Sequence, residues 1–254
     1  MIETNDYLQF LLVDFSKAFD TVNHFIIIEK LQKLDISHIV INLIIHILTD
    51  KTQQVVINGR RYSRLPITRS IVQGSVLRPL LFLSCILDLK PICKNNVMCK
   101  YADDLSQFCP QHSSSDLVDE FSHIVSWADV NKLIINSSKT KKIILKRPSW
   151  RRYIPPPPLM QIEQVEEAKL LGALLTPTLS IQSYVNYSIS RPILSQRLYI
   201  LNQLRTQGLN VSDLTGVFMA LVVARFQSAL PALTGQLSAD DLHKVDAVFS
   251  NARR

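Results

Sequence analysis

Two adjacent carboxylates, Asp103 and Asp104, lie in the stretch Tyr101-Ala102-Asp103-Asp104-Leu105. The run Asn96-Val97-Met98-Cys99-Lys100 leads into them, and Leu105 and Phe108 follow. Apolar flanks on both sides of an acidic break predict strand, tight turn, strand. Successive side chains on a strand point to opposite faces, so a turn is needed to present both acids near one spot. Far upstream, Leu11-Leu12-Val13-Asp14-Phe15 is a second apolar strand ending in a carboxylate. Set side by side, the two strand ends bring Asp14, Asp103 and Asp104 together.

Such a cluster is costly without a cation. Two like charges about 4 Å apart repel by roughly 4 kcal/mol at an effective dielectric near 20. Either one acid takes up a proton or a divalent ion neutralises the group. Oxygen ligands with no His or Cys beside them favour Mg²⁺ or Mn²⁺ over zinc. Two such ions can clamp the attacking and leaving oxygens of a phosphoryl transfer. Alone, an Asp-Asp pair is more often a turn or a helix cap.

Its company decides otherwise. Asp14-Phe15-Ser16-Lys17-Ala18-Phe19-Asp20-Thr21-Val22 comes first, and Gln73-Gly74-Ser75-Val76-Leu77-Arg78-Pro79-Leu80-Leu81-Phe82 second. Tyr101-Ala102-Asp103-Asp104 follows in third place. This ordered set resembles the palm of reverse transcriptases, most closely those of non-LTR retrotransposons. Fainter echoes run through Asn131-Lys132-Leu133, Ser138-Lys139-Thr140-Lys141 and Leu170-Leu171-Gly172, so the resemblance covers nearly the whole chain.

At 254 residues the chain holds one large domain or two ordinary ones, and 47% hydrophobic content is ample for a core. A net charge of +7 favours a polyanionic partner or an acidic surface without specifying a fold. Cys85, Cys93, Cys99 and Cys109 lack paired metal-ligand spacing and read as buried thiols in a reducing compartment. The longest apolar run, Ile39 to Leu48, is broken by Asn42 and His46 and is far too short for a membrane span. The start of the sequence has no signal-peptide character. These features predict an intracellular chain, in nucleus or cytoplasm, with no membrane span.

Tyr7 to Phe15 is a near-continuous apolar strand, the pattern of one buried on both faces. Asp20 or Asn23 caps the helix that follows to Leu34. Ile36 to Leu48 is a second helix, apolar almost all round and therefore expected to be deeply packed. Asn58-Gly59, within Gln54 to Tyr62, predicts a hairpin with a type I′ turn. Pro79 to Leu89 reads as a helix with proline at its start. Ser113 to Asp116 caps a further helix to about Leu133, with Leu117, Phe121, Ile124 and Ala128 on one face.

Lys139 to Arg152 then carries seven basic side chains and no acid in fourteen residues. Pro155 to Pro158 is an extended spacer and the expected boundary between domains at 1–152 and 153–254. Lys169 to Leu175 resembles a returning strand. Beyond it the chain reads as helical. A first helix ends at Gly208, with Pro192 in its first turn or kinking it. A second runs from Asn210 to about Ser228 with a stripe of Leu214, Val217, Phe218, Leu221 and Val222, and a third starts near Ser238.

The resemblance implies roles for particular residues. Asp14, Asp103 and Asp104, with the Phe15 carbonyl, correspond to the family's ligands for catalytic Mg²⁺ or Mn²⁺. Phe19 matches the aromatic steric gate beneath the sugar of the incoming nucleotide; a core aromatic packing after a strand is the plainer alternative. Lys17 and Ala18 would offer backbone N–H groups to the triphosphate. Gln73 and Gly74 correspond to the template and nucleotide contact loop, against the alternative of a plain turn, and glycine there permits close backbone approach. Arg78 departs from the glycine usual in the pattern, and a long cation where the chain must turn tightly is expected to distort that loop.

Lys139 or Lys141 corresponds to the lysine that protonates leaving pyrophosphate, a role that needs reach and a tuned pKa. Lys141, Lys142, Lys146, Arg147, Arg151 and Arg152 would contact nucleic-acid phosphates; a solvated basic face reads the stretch equally well. Asp20 reads as a helix cap, and the histidines have no constellation around them. Members of the family carry a fingers segment before the first palm strand; this sequence is expected to lack it and reads as a palm plus the start of a thumb from a longer element.

The expected fold is therefore α+β: a palm with an antiparallel sheet and packed helices, followed by a helical thumb-like region. The implied activity is RNA-directed DNA synthesis, in which a primer 3′-hydroxyl attacks a dNTP on an RNA template with a DNA primer. Two rival readings stand beside it. One is a catalytically dead remnant that only binds nucleic acid. The other is an interaction domain whose helices bind a protein partner.

Overall fold

Strand β1 (Tyr7–Val13) forms because its apolar run leaves few side chains that favour water, and it is covered on both faces. The short helix α1 (Ala18–Thr21) and α2 (His24–Gln32) follow, and the Asn23 side chain caps α2 by accepting the amides of Phe25 and Ile26. Next comes α3 (His38–Leu48), then four two-residue strands: β2 (Thr52–Gln53), β3 (Val56–Ile57), β4 (Arg60–Arg61) and β5 (Leu65–Pro66). Helix α4 (Leu77–Ile86) leads into the carboxylate hairpin, β6 (Val97–Tyr101) and β7 (Asp104–Pro110). Helix α5 (Leu117–Val130), capped by Asp116 on the Asp119 amide, precedes β8 (Lys141–Lys146) and β9 (Glu163–Gln164). This computed structural model describes residues 4–71, 74–147, 154–180 and 191–224, with single positions at 227, 240 and 243.

The main sheet has strand order β6-β7-β1-β8-β9. Its pairings are antiparallel except β8 with β9. Leu11, Val13, Leu105 and Cys109 on one face pack into a single core with Ile27 and Leu31 of α2, Phe82 and Ile86 of α4, and Ile124 and Ala128 of α5. The helices therefore cover one face of the sheet, as the palm reading expects. On the other face Phe10 stacks on Phe108 with ring centroids 4.2 Å apart. That geometry, beside their register pairing, ties the strands that carry the acids.

The chain divides into two compact units, Met1–Val165 and Glu166–Arg254. The prolines of the expected spacer belong to the first unit, where Leu159 and Ile162 just beyond them enter the core. In the second unit, β10 (Ala168–Leu170) and β11 (Ala173–Leu175) form a hairpin. The single strand expected there is thus two, because Leu171 and Gly172 both take positive φ and reverse the chain. Helix α6 (Arg191–Thr206) follows, and Gly208 beyond it has φ 88. Asn210 caps α7 (Val211–Phe218), which runs on as a π-helical turn over Met219–Val223. The third C-terminal helix expected from Ser238 lies almost wholly outside the described residues.

Three other expectations need correction. Helix α3 is not deeply packed: Ile41, Ile44 and Leu48 are buried, whereas Ile39 and Leu43 face outward. Of the cysteines only Cys85 and Cys109 are buried, and burial pushes their thiols up to about 11 and about 12. Arg78 does not distort a tight turn, because it lies inside α4, where the backbone is helical. The Asn58-Gly59 hairpin is present with φ 49 and φ 77, the signs a type I′ turn requires. Among the described residues no helix is long and apolar enough to cross a membrane.

Candidate active site

The register of the sheet sets the acids. Val13 pairs with Leu105, so continuing the antiparallel ladder one step sets Asp14 opposite Asp104. Tyr101 pairs with Asp104 across the hairpin, which leaves Ala102 and Asp103 as the two turn residues. Ala102 takes φ 52, a left-handed conformation that a residue with a Cβ adopts only under strain. The sharp turn is what puts Asp103 and Asp104 side by side.

A cleft of about 500 Å³ opens here, lined by Asp14 to Asp20 and by Arg78, Asp103, Asn136 and Lys139. Asp104, the next residue after Asp103, is not among the lining residues. Burial raises the Asp104 carboxyl above its ordinary range, and the charges of Asp103 and then Asp14 add to the effect. Among the described residues no three His, Cys, Asp or Glu side chains stand in a ready-made metal cluster. The donor set nevertheless suits a hard divalent cation, being all oxygen and mutually repelling.

The end of β1 is held by a segment far away in sequence. Asn136 donates its amide to the Asp14 carbonyl at 2.8 Å, and Ser16 donates to the Ile134 carbonyl at 2.7 Å. The Asp14 amide donates to Thr140 Oγ1 at 3.2 Å. Phe15 forms a β-bridge with Ile135, and its side chain is buried in the core. Sequence reading gave Asn136 and Thr140 no role. Their only signal is position, at the start of the basic stretch.

Phe19 is half-buried, and its two candidate roles coincide in space. Its ring lines the cleft and also lies 4.9 Å from that of Phe82 in the core. Lys17 and Ala18 line the same cleft, with Lys17 in the left-handed region at φ 48. Gly74 takes φ 78, and a Cβ there would meet nothing within 4 Å. Backbone conformation, not close approach within the chain, is therefore what requires glycine at this point. Gln73 lies outside the described residues.

The segment leading to Gly74 is stitched down by contacts the sequence did not announce. His24 is buried, and its Nε2 lies 2.6 Å from the Ser70 carbonyl. Ser70 and Ile71 donate to the carbonyls of Val22 and Phe19. Ser70 and Ile71 are thus anchored directly to the segment that carries Phe19.

The basic stretch is mostly a strand. Lys142 is 1% exposed, and its amine donates to the Pro157 carbonyl at 2.7 Å. Burial lowers its pKa. A phosphate contact by Lys142 is therefore ruled out in this fold, because the middle of β8, paired with β1 and β9, is buried on both faces. Lys141 bonds the Ser138 carbonyl and pairs with Glu163. Of the two lysines considered for proton donation, Lys139 lines the cleft and Lys141 does not. Lys146 ends β8, and the Arg147 amide donates to the Asp6 carbonyl. Arg151 and Arg152 lie outside the described residues.

Glu120 is another residue that sequence reading missed. It is fully buried in α5 and accepts the amides of Ile92 and Cys93 and the side-chain amide of Asn96. Those bonds fix the approach to β6 and so the hairpin. Its place on the apolar face of α5, three residues after Leu117, was the available signal.

Comparison with solved structures gives Candida tropicalis telomerase in complex with a TWJ fragment of telomeric RNA, at 12% identity and TM-score 0.54. That match covers 98% of this chain and 43% of the telomerase chain, so this chain spans less than half of its structural relative. Candida albicans telomerase with the corresponding RNA fragment matches at 13% identity and TM-score 0.42, covering 96% of this chain and 43% of that one. Among curated proteins there is no match. The family model for reverse transcriptase (RNA-dependent DNA polymerase) matches residues 2–175, which takes in the whole sheet and every cleft residue. The chain belongs to the reverse transcriptase family.

Proposed function

We propose that this chain is the palm of a reverse transcriptase of the non-LTR retrotransposon kind, catalysing nucleotidyl transfer from a dNTP to a primer 3′-hydroxyl on an RNA template. The observation that carries this reading is the convergence of Asp14, Asp103 and Asp104, made by the β1–β7 register and the Ala102-Asp103 turn. Asp14, Asp103, Asp104 and the Phe15 carbonyl are the groups that would hold Mg²⁺ or Mn²⁺. Divalent ions there would neutralise the acids and stabilise the attacking and leaving oxygens of phosphoryl transfer.

The chain's own residues do the rest. Phe19 forms the wall against which the sugar of the nucleotide rests. Lys17 and Ala18 border the path of the triphosphate. Lys139, exposed at the cleft, would pass a proton to the leaving pyrophosphate, a reading supported by its place in the lining. Held in such a cleft, reacting groups gain from positioning alone, which can account for about 7–11 kcal/mol of a barrier.

The test is extension of a DNA primer on an RNA template with Mg²⁺ and dNTPs, beside Asp103→Asn. Paramagnetic relaxation of Mn²⁺ is measured in parallel. Extension abolished by the substitution supports the reading. Mn²⁺ binding equal in wild type and Asp103→Asn would remove the metal site. Mn²⁺ and template-primer binding without extension would favour the remnant that only binds nucleic acid.

A further inference from the structure

Arg78 stands in the wall of the cleft, at the second position of α4, and its charge is held in a defined place. Nη2 donates to Asp20 Oδ1 at 3.0 Å. The guanidinium carbon lies 4.8 Å from the centroid of the Phe19 ring. Its side chain is 18% exposed, whereas that of Asp20 is 44% exposed. The other cleft cations, Lys17 and Lys139, are exposed.

We propose that Arg78 is a polyphosphate-binding residue that exchanges the Asp20 carboxylate for the phosphate tail of the incoming nucleotide. The inference rests on the nucleotidyl-transfer reading above and adds a residue to it. A guanidinium presents five N–H donors in a planar fork, and among the described residues this one makes a single hydrogen bond, to Asp20. The fork matches phosphate oxygens bidentately, a geometry that a lysine cannot reproduce. Giving up Asp20 costs little, because ion pairs that reach solvent contribute weakly.

Phe19 supplies the second half of the argument. Its ring face carries the guanidinium through a cation–π contact at 4.8 Å. The same ring is the proposed wall for the sugar. Sugar and phosphate tail are joined in one ligand, so a cation seated on Phe19 lies next to where that tail must run. Asp14 and Asp103, which line the same cleft, repel the tail, so a cation on its wall sets its direction.

The experiment is calorimetric titration of inorganic tripolyphosphate, without divalent metal, into the chain and into Arg78→Ala, Arg78→Lys and Asp20→Asn. Arg78→Ala should weaken binding about tenfold or more, the scale of a charge-assisted hydrogen-bonded pair. Arg78→Lys should fall between. Asp20→Asn should tighten binding several-fold, about three- to tenfold, because it removes the competing carboxylate. A purely structural ion pair makes a different forecast: Arg78→Ala and Asp20→Asn break the same bridge, so affinity and melting temperature shift in the same direction for both.

Parallel shifts, or an unaltered affinity in Arg78→Ala, would overturn the proposal. So would the absence of tripolyphosphate binding by the wild-type chain. In that last case, primer extension abolished by Asp103→Asn would leave the polymerase reading standing. Opposite shifts with no extension would support the anion site and count against the polymerase.

Discussion

Asn136 donates its main-chain amide to the carbonyl of Asp14 at 2.8 Å, joining the residue after β1 to the segment that precedes β8. Thr140 completes the clamp by accepting the Asp14 amide. The position of the first acid thus depends on a hairpin-like contact between distant parts of the chain. The other two acids sit at the β6–β7 turn, whose approach is held by Glu120 instead.

Thr140→Val should separate these two dependences. Thr140 is fully buried, and valine keeps its shape while leaving the Asp14 amide without its acceptor. An unsatisfied buried donor costs about 1–3 kcal/mol. Expected outcomes are a loss of stability in that range by urea denaturation and Mn²⁺ affinity reduced about three- to tenfold, as a misplaced ligand would give. Unchanged Mn²⁺ affinity alongside the stability loss would show that Asp14 holds its place without the clamp.

Lys142 should behave as a core residue. Lys142→Ala removes the bond to the Pro157 carbonyl and leaves a cavity on the face it shares with Leu11 and Ile144, so stability should fall by about 2–3 kcal/mol. The salt dependence of nucleic-acid binding should not move, whereas each lost phosphate contact would flatten the log–log slope by about 0.9 on duplex DNA. A flatter slope measured for a folded Lys142→Ala protein would contradict its inward orientation.

These cases show what the sequence could and could not carry. Apolar runs that end in acids are written locally, so β1, the carboxylate hairpin and the α2 and α5 caps could all be read directly. Lys142 could not, since seven cations in fourteen residues mask a strand whose four central residues, this lysine among them, are all buried. Glu120 and Asn136 acquire their function from partners far away in sequence. Helix α3 misled because an apolar composition all round does not say how many neighbours are present to cover it.

Asp104 gives a pH prediction. Its carboxyl is raised from the ordinary 3.8 by burial and by the charges of Asp103 and Asp14. The native state therefore holds this proton more tightly than the unfolded chain. Stability should fall as pH rises from 3.8 through the raised native value, and remain at the lower level above it. Asp104→Asn removes that loss, raising Tm at neutral pH by about 1–3 °C, since screened charge interactions are worth under about 1 kcal/mol. Mn²⁺ should reverse the order of the two proteins, because a ligand at 100 times its Kd stabilises the native state by about 2.7 kcal/mol. Identical melting of both proteins with and without Mn²⁺ would place Asp104 outside the metal site.

Phe19→Val tests the sugar wall. The ring stands between the cleft and Phe82, with the Arg78 guanidinium on it, so it can restrict the cleft only while that packing holds. Valine shortens the wall and opens space beside the 2′ carbon of a bound nucleotide. A difference of one small group in a pocket is worth about 1–3 kcal/mol, or roughly 10–200-fold in discrimination. The ratio of kcat/KM for deoxyribonucleotide over ribonucleotide should therefore fall by at least about tenfold in extension assays. The rate with deoxyribonucleotide should fall less. Phe19→Tyr keeps the ring and should keep the ratio, which distinguishes a wall from general loosening of the core. Thermal melting of the valine variant measures that loosening, expected at about 1–2 kcal/mol for a half-buried aromatic cut to an aliphatic side chain. A folded, active Phe19→Val protein with the wild-type ratio would leave Phe19 as a core aromatic that happens to border the cleft.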